Sequence, residues 1–386
     1  MTNAAARSVR ADVAGSGSHP VARPGEDAVT ASLGAVLIGA LFADGWAHLN
    51  VPELESFFTP WHLVLYSAFA ALVGWLVWLG RRHGDGQFTL PIGYPLGALG
   101  AAVFAVGGAA DLGWHQAFGI EAGIDALVSP SHLVLFGGGM LILTSPLRSA
   151  WWGRGEPTRG PGTVDRLPGT AALILATALA AFFLSYASVF TAADASQPLA
   201  VIAEGQVGHE ASETPVALGL ARYLTTTALV VIPLLLLYRR APISFGPTTA
   251  LVTVVAWLSA GLIDLPATAV GTAIAVTVAA AATDAVLAGL DQRSRLPRRA
   301  RLVLAGALLP AALWPAQLTA LAVTDRIGWP VELWSGVTIL TVFAGAALGL
   351  LCQPFRAPSA FDGVEASSGL DTDCHTGGRA APAVAD

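Results

Sequence analysis

The chain has 386 residues, of which 54% are hydrophobic and 12% charged, with a formal net charge of -6 and a mean hydropathy of +0.63. A soluble domain carries about 25% charged residues, so the composition excludes an ordinary soluble domain and points to a polytopic membrane protein. No basic patch interleaved with aromatics occurs, which excludes nucleic acid as a partner, and Cys352 and Cys374 build no disulfide framework.

In chain order, residues 1–28 are polar, rich in Ala, Gly and Ser, and carry Arg7, Arg10 and Arg23. They read as a disordered cytoplasmic leader before a retained helix rather than a cleaved signal. Ten apolar runs follow, at 29–49, 60–80, 91–113, 130–148, 169–190, 216–238, 247–264, 267–290, 301–324 and 331–352. Each is near the ~20 residues that cross ~30 Å of hydrocarbon. Runs this long and apolar satisfy their backbone in lipid as helices, so the predicted fold is all-α. Residues 29–148 form a four-helix region, 149–168 a loop, 169–352 a six-helix region, and 353–386 a second disordered segment.

Arginine sets the expected orientation. Arg81 and Arg82, then Arg148, Arg154, Arg159 and Arg166, then Arg239 and Arg240, then Arg293 to Arg301 all fall in alternate connections. With both termini cytoplasmic, every one of these lies inside. The preference for arginine, alanine and glycine suggests a high-GC bacterial genome, hence a bacterial plasma membrane.

The chemistry concentrates in two hairpins. Residues 44–66 read DGWAHLNVPELESFFTPWHLVLY, and 111–136 read DLGWHQAFGIEAGIDALVSPSHLVLF. Asp44, His48 and His62 match Asp111, His115 and His132, at offsets of 67, 67 and 70 positions. A repeat at a nearly fixed offset is a fold-level signal. The i, i+4 spacing stacks each Asp and His on one helix face. Thr59-Pro60 and Ser129-Pro130 look like helix starts, placing His62 and His132 in the first turn of the returning helix.

One carboxylate and two imidazoles suit copper, zinc or non-haem iron, with open positions for water or substrate. Each hairpin holds its own ion, or the two share a site; spacing does not choose. Glu53, Glu55, Glu121 and Asp125 are candidates for outer partners of the ligands or a cation-gathering funnel, with a solvated loop as the plainer reading. Asp–His pairs that merely lock packed helices are the plain reading of the six main residues.

Asp-x3-His followed about a dozen residues later by His resembles a copper-binding motif of the particulate methane and ammonia monooxygenases, whose ligands also come from membrane helices. The likeness covers about twenty residues per copy. It implies metal ligation by Asp44, His48, His62, Asp111, His115 and His132, with copper first. Here the second spacing is thirteen and sixteen intervening residues, and there are two copies.

Haem is a weaker fit: all four histidines lie at one edge, which suits one bis-histidine haem and not two stacked at different depths. No Cys-x-x-Cys-His occurs. The 191–215 connection, with Asp194, Glu204, His209, Glu210 and Glu213, lies on the same side as the repeats. His209 is a further candidate ligand, and Arg222 is expected to pair with an acid of that connection. Asp284 is a candidate for a proton relay or a packing contact. Three functions follow: a membrane metalloenzyme acting by oxidation or hydrolysis on a lipophilic substrate, a metal or small-molecule transporter, and a structural membrane protein with polar helix locks. Protein partners beyond the lipid bilayer are not readable.

Overall fold

The computed structural model describes residues 20–51, 59–84, 86–119, 123–153, 163–200, 202–293 and 296–353. The described chain is helical, with no strand among these residues. In order the helices are α1 (Pro24–Asn50), α2 (Pro60–Arg82), α3 (Pro95–Phe118), α4 (Ile124–Val128), α5 (Pro130–Leu143), α6 (Thr163–Phe183), α7 (His209–Arg240), α8 (Pro247–Leu262), α9 (Ala267–Arg293), α10 (Arg298–Thr324) and α11 (Val331–Leu351). A short helical turn and a π-helical turn, Ser145–Arg148 and Ser149–Gly153, prolong α5.

Among the described residues, nine helices are long and apolar enough to cross a membrane. The expected seventh span, 247–264, is the 16-residue α8, which rises only about 24 Å. It stops in a turn where Asp264 and Leu265 take positive φ of 64° and 51°, a backbone region that non-glycine residues seldom occupy.

The first helix begins at Pro24, five residues before the expected start, because the charges that argued against helix there are paired. Glu26 accepts from Arg82 Nε at 3.1 Å and contacts His83 Nε2 at 3.0 Å. Asp27 is fully buried and accepts from Tyr94 Oη at 2.6 Å and Ser149 Oγ at 3.1 Å. Acids in a first turn also suit the positive end of the helix dipole. Of the expected leader, residues 1–19 lie outside the described residues, as do 154–162 of the loop and 354–386 of the tail.

Three apolar cores hold the bundle. One joins α1, α2, α3 and α5. A second joins α6 to α11. The third, with Ile38, Phe42, Leu143, Leu179 and Leu262, ties α1 and α5 to α6 and α8. The closest helix crossings run through glycine, as small residues permit in membrane bundles. At Gly138 a Cβ would fall 2.6 Å from Phe104 N and 2.8 Å from Gly100 O. At Gly306 it would fall 2.1 Å from Gly345 O.

Candidate metal centre

Each hairpin delivers its three side chains by the same local devices. Asp44 and His48 lie one turn apart near the end of α1, and Asp111 and His115 near the end of α3. Pro60 and Pro130 open α2 and α5. Thr59 Oγ1 accepts from the His62 N–H at 3.1 Å, and Ser129 Oγ from the His132 N–H at 3.4 Å. These caps fix where the returning helix starts, and so hold the second histidine beside the carboxylate.

In each set, ligand-type atoms from all three residues lie within 4.8 Å of one another, and each set could hold a metal ion. Asp44 Oδ2 lies 3.8 Å from His48 Nε2 and 3.5 Å from His62 Nε2. Asp111 lies 3.6 Å from His115 Nε2 and 3.3 Å from His132 Nε2. These separations exceed ordinary hydrogen bonds. Two ligands at about 2.1 Å from a shared ion stand about 3–3.5 Å apart at angles of 90–110°; the His62 and His132 contacts fall in that range, and those of His48 and His115 are slightly longer. The atoms cluster as two threes rather than one six.

Protonation makes the Asp111 set more telling. His115 Nδ1 lies 3.1 Å from the Gly119 carbonyl oxygen. His132 Nδ1 contacts the Ala126 carbonyl oxygen and lies 3.0 Å from Ser129 Oγ. A carbonyl only accepts, so each Nδ1 carries the proton and a neutral ring keeps a lone pair on Nε2. Two lone pairs then face one carboxylate, an arrangement that a cation among them would satisfy at all three groups at once. Backbone carbonyls that fix the tautomer are the usual outer partners of metal-bound histidine.

The two sets differ in one respect. Ser131 Oγ donates to Asp111 Oδ1 at 3.0 Å. The corresponding position in the other hairpin is Trp61, and Asp44 Oδ1 is buried with no hydrogen-bond partner. A buried carboxylate oxygen without a donor is costly, and a metal ion would relieve that cost.

Both sets line one cavity of about 380 Å³. Away from the carboxylates its walls are apolar: Leu37, Leu65, Phe104, Leu135, Leu179 and Phe182 contribute. Tyr66 also lines it, its ring 6.2 Å from that of His62. Sequence reasoning did not single out Tyr66. The signal was its place in the repeat, where PWHLVLY ends in Tyr and PSHLVLF ends in Phe.

Arg222 lines the same cavity and pairs with Asp194, while its Nε donates to the Tyr186 carbonyl at 3.1 Å. Burial pushes the Asp194 carboxyl above its usual range, with Arg222 pulling the other way. His209 starts α7, bonds the Ile202 carbonyl at 2.7 Å and is not among the lining residues. Asp125 is exposed on α4. Glu53, Glu55 and Glu121 lie outside the described residues.

Asp284 belongs elsewhere. From α9 it accepts the N–H of Gly246 at 2.9 Å, the N–H of Thr249 at 2.8 Å and the Thr249 hydroxyl at 2.7 Å. It thus caps the start of α8 from a neighbouring helix and takes no part in the cavity. Asp284→Ala strands these buried donors and is expected to cost about 3 kcal/mol, read as a lower midpoint in thermal unfolding, with the metal content of the folded protein unchanged. Comparison with protein-family models, curated proteins and solved structures finds no match for this chain.

Proposed function

We propose that this membrane protein binds two transition-metal ions, one in each Asp/His/His set, and that they act on a lipophilic molecule held in the adjoining cavity. The observation that carries this reading is the convergence, twice on one cavity wall, of a buried carboxylate and two imidazole Nε2 atoms at distances too long for hydrogen bonds and right for a shared ion. Copper leads, through the resemblance of the Asp-x3-His…His spacing to the monooxygenase motif; zinc and iron take the same donors. An ion with an open position supplies Lewis-acid polarisation or an activated water. The chain's own part is to orient the four imidazoles and to keep bulk water from the apolar half of the cavity.

Haem fits less well, because every one of the four Nε2 atoms is directed at a carboxylate. Transport fits less well too, because apolar side chains wall the cavity below the sets and Asp284 is occupied in capping α8. Arg81 and Arg82 of α2, Arg239 and Arg240 of α7 and Arg298 to Arg301 of α10 lie at the helix ends away from the two sets, while Arg222 of α7 lies by the cavity paired with Asp194; the former group supports an outward-facing metal centre with both termini inside.

The test is metal analysis of the purified protein beside a His62→Ala/His132→Ala double variant. Wild type should carry close to two ions per chain and the variant close to none. Equal, low metal in both overturns the reading.

A further inference from the structure

Arg222 lies by the metal-centre cavity, and α7 rises about 27 Å from there to Arg240. At that far end a second cavity of about 290 Å³ is lined by Arg240, Arg298 and Arg301, with Tyr238, Ile243 and Leu302 beside them. Two of the arginines are held in place by neighbours, and the third opens a helix. The Arg240 guanidinium sits over the Trp151 ring at 4.6 Å. Arg298 opens α10, whose first-turn N–H groups have no partner within the helix and mark the positive end of its dipole. Arg301 pairs through Nη1 with Asp291, while its Nε is buried and has no hydrogen-bond partner. Among the described residues, three arginines thus line the cavity, Asp291 pairs with one of them, and a buried charged donor is left over. Such a donor calls for a further acceptor.

We propose that this cavity binds a phosphate-type anion, its oxygens shared among Arg240, Arg298 and Arg301. Guanidinium forks and a helix N-terminus are the ordinary donors for phosphate oxygens. The same chemistry has two sources: the headgroup of an anionic phospholipid, whose acyl chains would run past Leu302 and Ile243, and free phosphate or a soluble phosphoester.

The experiment measures binding and thermal stabilisation of the purified full chain by phosphatidylglycerol, by phosphatidylcholine and by inorganic phosphate. It is repeated on Arg240→Gln/Arg298→Gln, which leaves the Arg301–Asp291 pair intact, and on Arg301→Lys, which keeps the charge but loses the Nε–H. Phosphatidylglycerol should bind wild type about thirtyfold more tightly than the double variant, the factor expected from two arginines at an anionic surface. Arg301→Lys should bind it more weakly than wild type. Stabilisation by phosphatidylglycerol and not by inorganic phosphate identifies the lipid source; stabilisation by inorganic phosphate identifies the soluble one. Equal binding by wild type and both variants, or phosphatidylcholine binding as tightly as phosphatidylglycerol with no phosphate effect, overturns the proposal. Metal content plays no part in these readouts, so the outcome is independent of the metal centre.

Discussion

Asp111→Ala and Asp44→Ala should each lower the metal content from two ions per chain to one, and the double variant should lower it to none. Each aspartate is the only carboxylate of its set, and both are buried. Removing one leaves two neutral imidazoles to hold a dication in a largely apolar wall. The loss should exceed the ~10–100-fold contributed by outer hydrogen-bond partners. Additivity is expected because the ligand atoms form two separate groups. A single aspartate variant that loses both ions would instead indicate one shared centre. The wild type should also release its ions in two steps when titrated with a chelator. The Asp111 set is braced by Ser131, Gly119 and Ala126. It should hold its ion more tightly than the Asp44 set, where Trp61 stands in place of that serine. Ser131→Ala should narrow the gap between the two steps.

That asymmetry marks how far the sequence could be read. The six ligand-type residues were legible because polar types recur at matching places in apolar surroundings, and because helix caps are local: Thr59-Pro60 and Ser129-Pro130 depend on residues three apart. Whether the two sets shared one wall was not legible, since that depends on how α1, α2, α3 and α5 pack across the bundle. The cavity itself was hidden for the same reason. Its walls come from α1 to α8 and include ordinary leucines and phenylalanines that carry no pattern of their own. His209 was a candidate only through its position on the matching side of the chain, with a plain acidic connection the simpler reading; its Nδ1 lies 2.7 Å from the Ile202 carbonyl oxygen and it does not line the cavity.

For the fold, hydropathy located the helices because span length is fixed by membrane thickness. It misplaced starts where charge is buried in pairs. Glu26 and Asp27 belong to α1 because Arg82, His83, Tyr94 and Ser149 reach them from elsewhere in the chain. It also extended α8 through Asp264, where the backbone in fact turns left-handed. Asp284 left two readings open, a proton relay or the commoner packing contact with a neighbouring Thr; the bonds to Thr249 and Gly246 place it in the second, capping a helix.

Two glycine crossings allow stability and metal binding to be separated. Gly138 and Gly100 bring α5 and α3 together, and these two helices carry His132 on one side and Asp111 and His115 on the other. A Cβ at Gly138 meets backbone atoms of Phe104 and Gly100 inside 3 Å, and backbone cannot rotate aside as a side chain can. Gly138→Ala should therefore force α3 and α5 apart, at a cost of about 1–3 kcal/mol or more. His132 would then move away from Asp111, and the Asp111 set would lose its ion while the Asp44 set on α1 and α2 keeps its own. Gly306→Ala is the matched control. Its Cβ would fall 2.1 Å from Gly345 O, so it should destabilise the α10–α11 contact at least as much, yet neither helix supplies a ligand. The expected pattern is a lowered unfolding temperature in both variants, with one ion per folded chain in Gly138→Ala and two in Gly306→Ala. If Gly138→Ala kept both ions at full affinity, the α3–α5 crossing would not be what positions the Asp111 set.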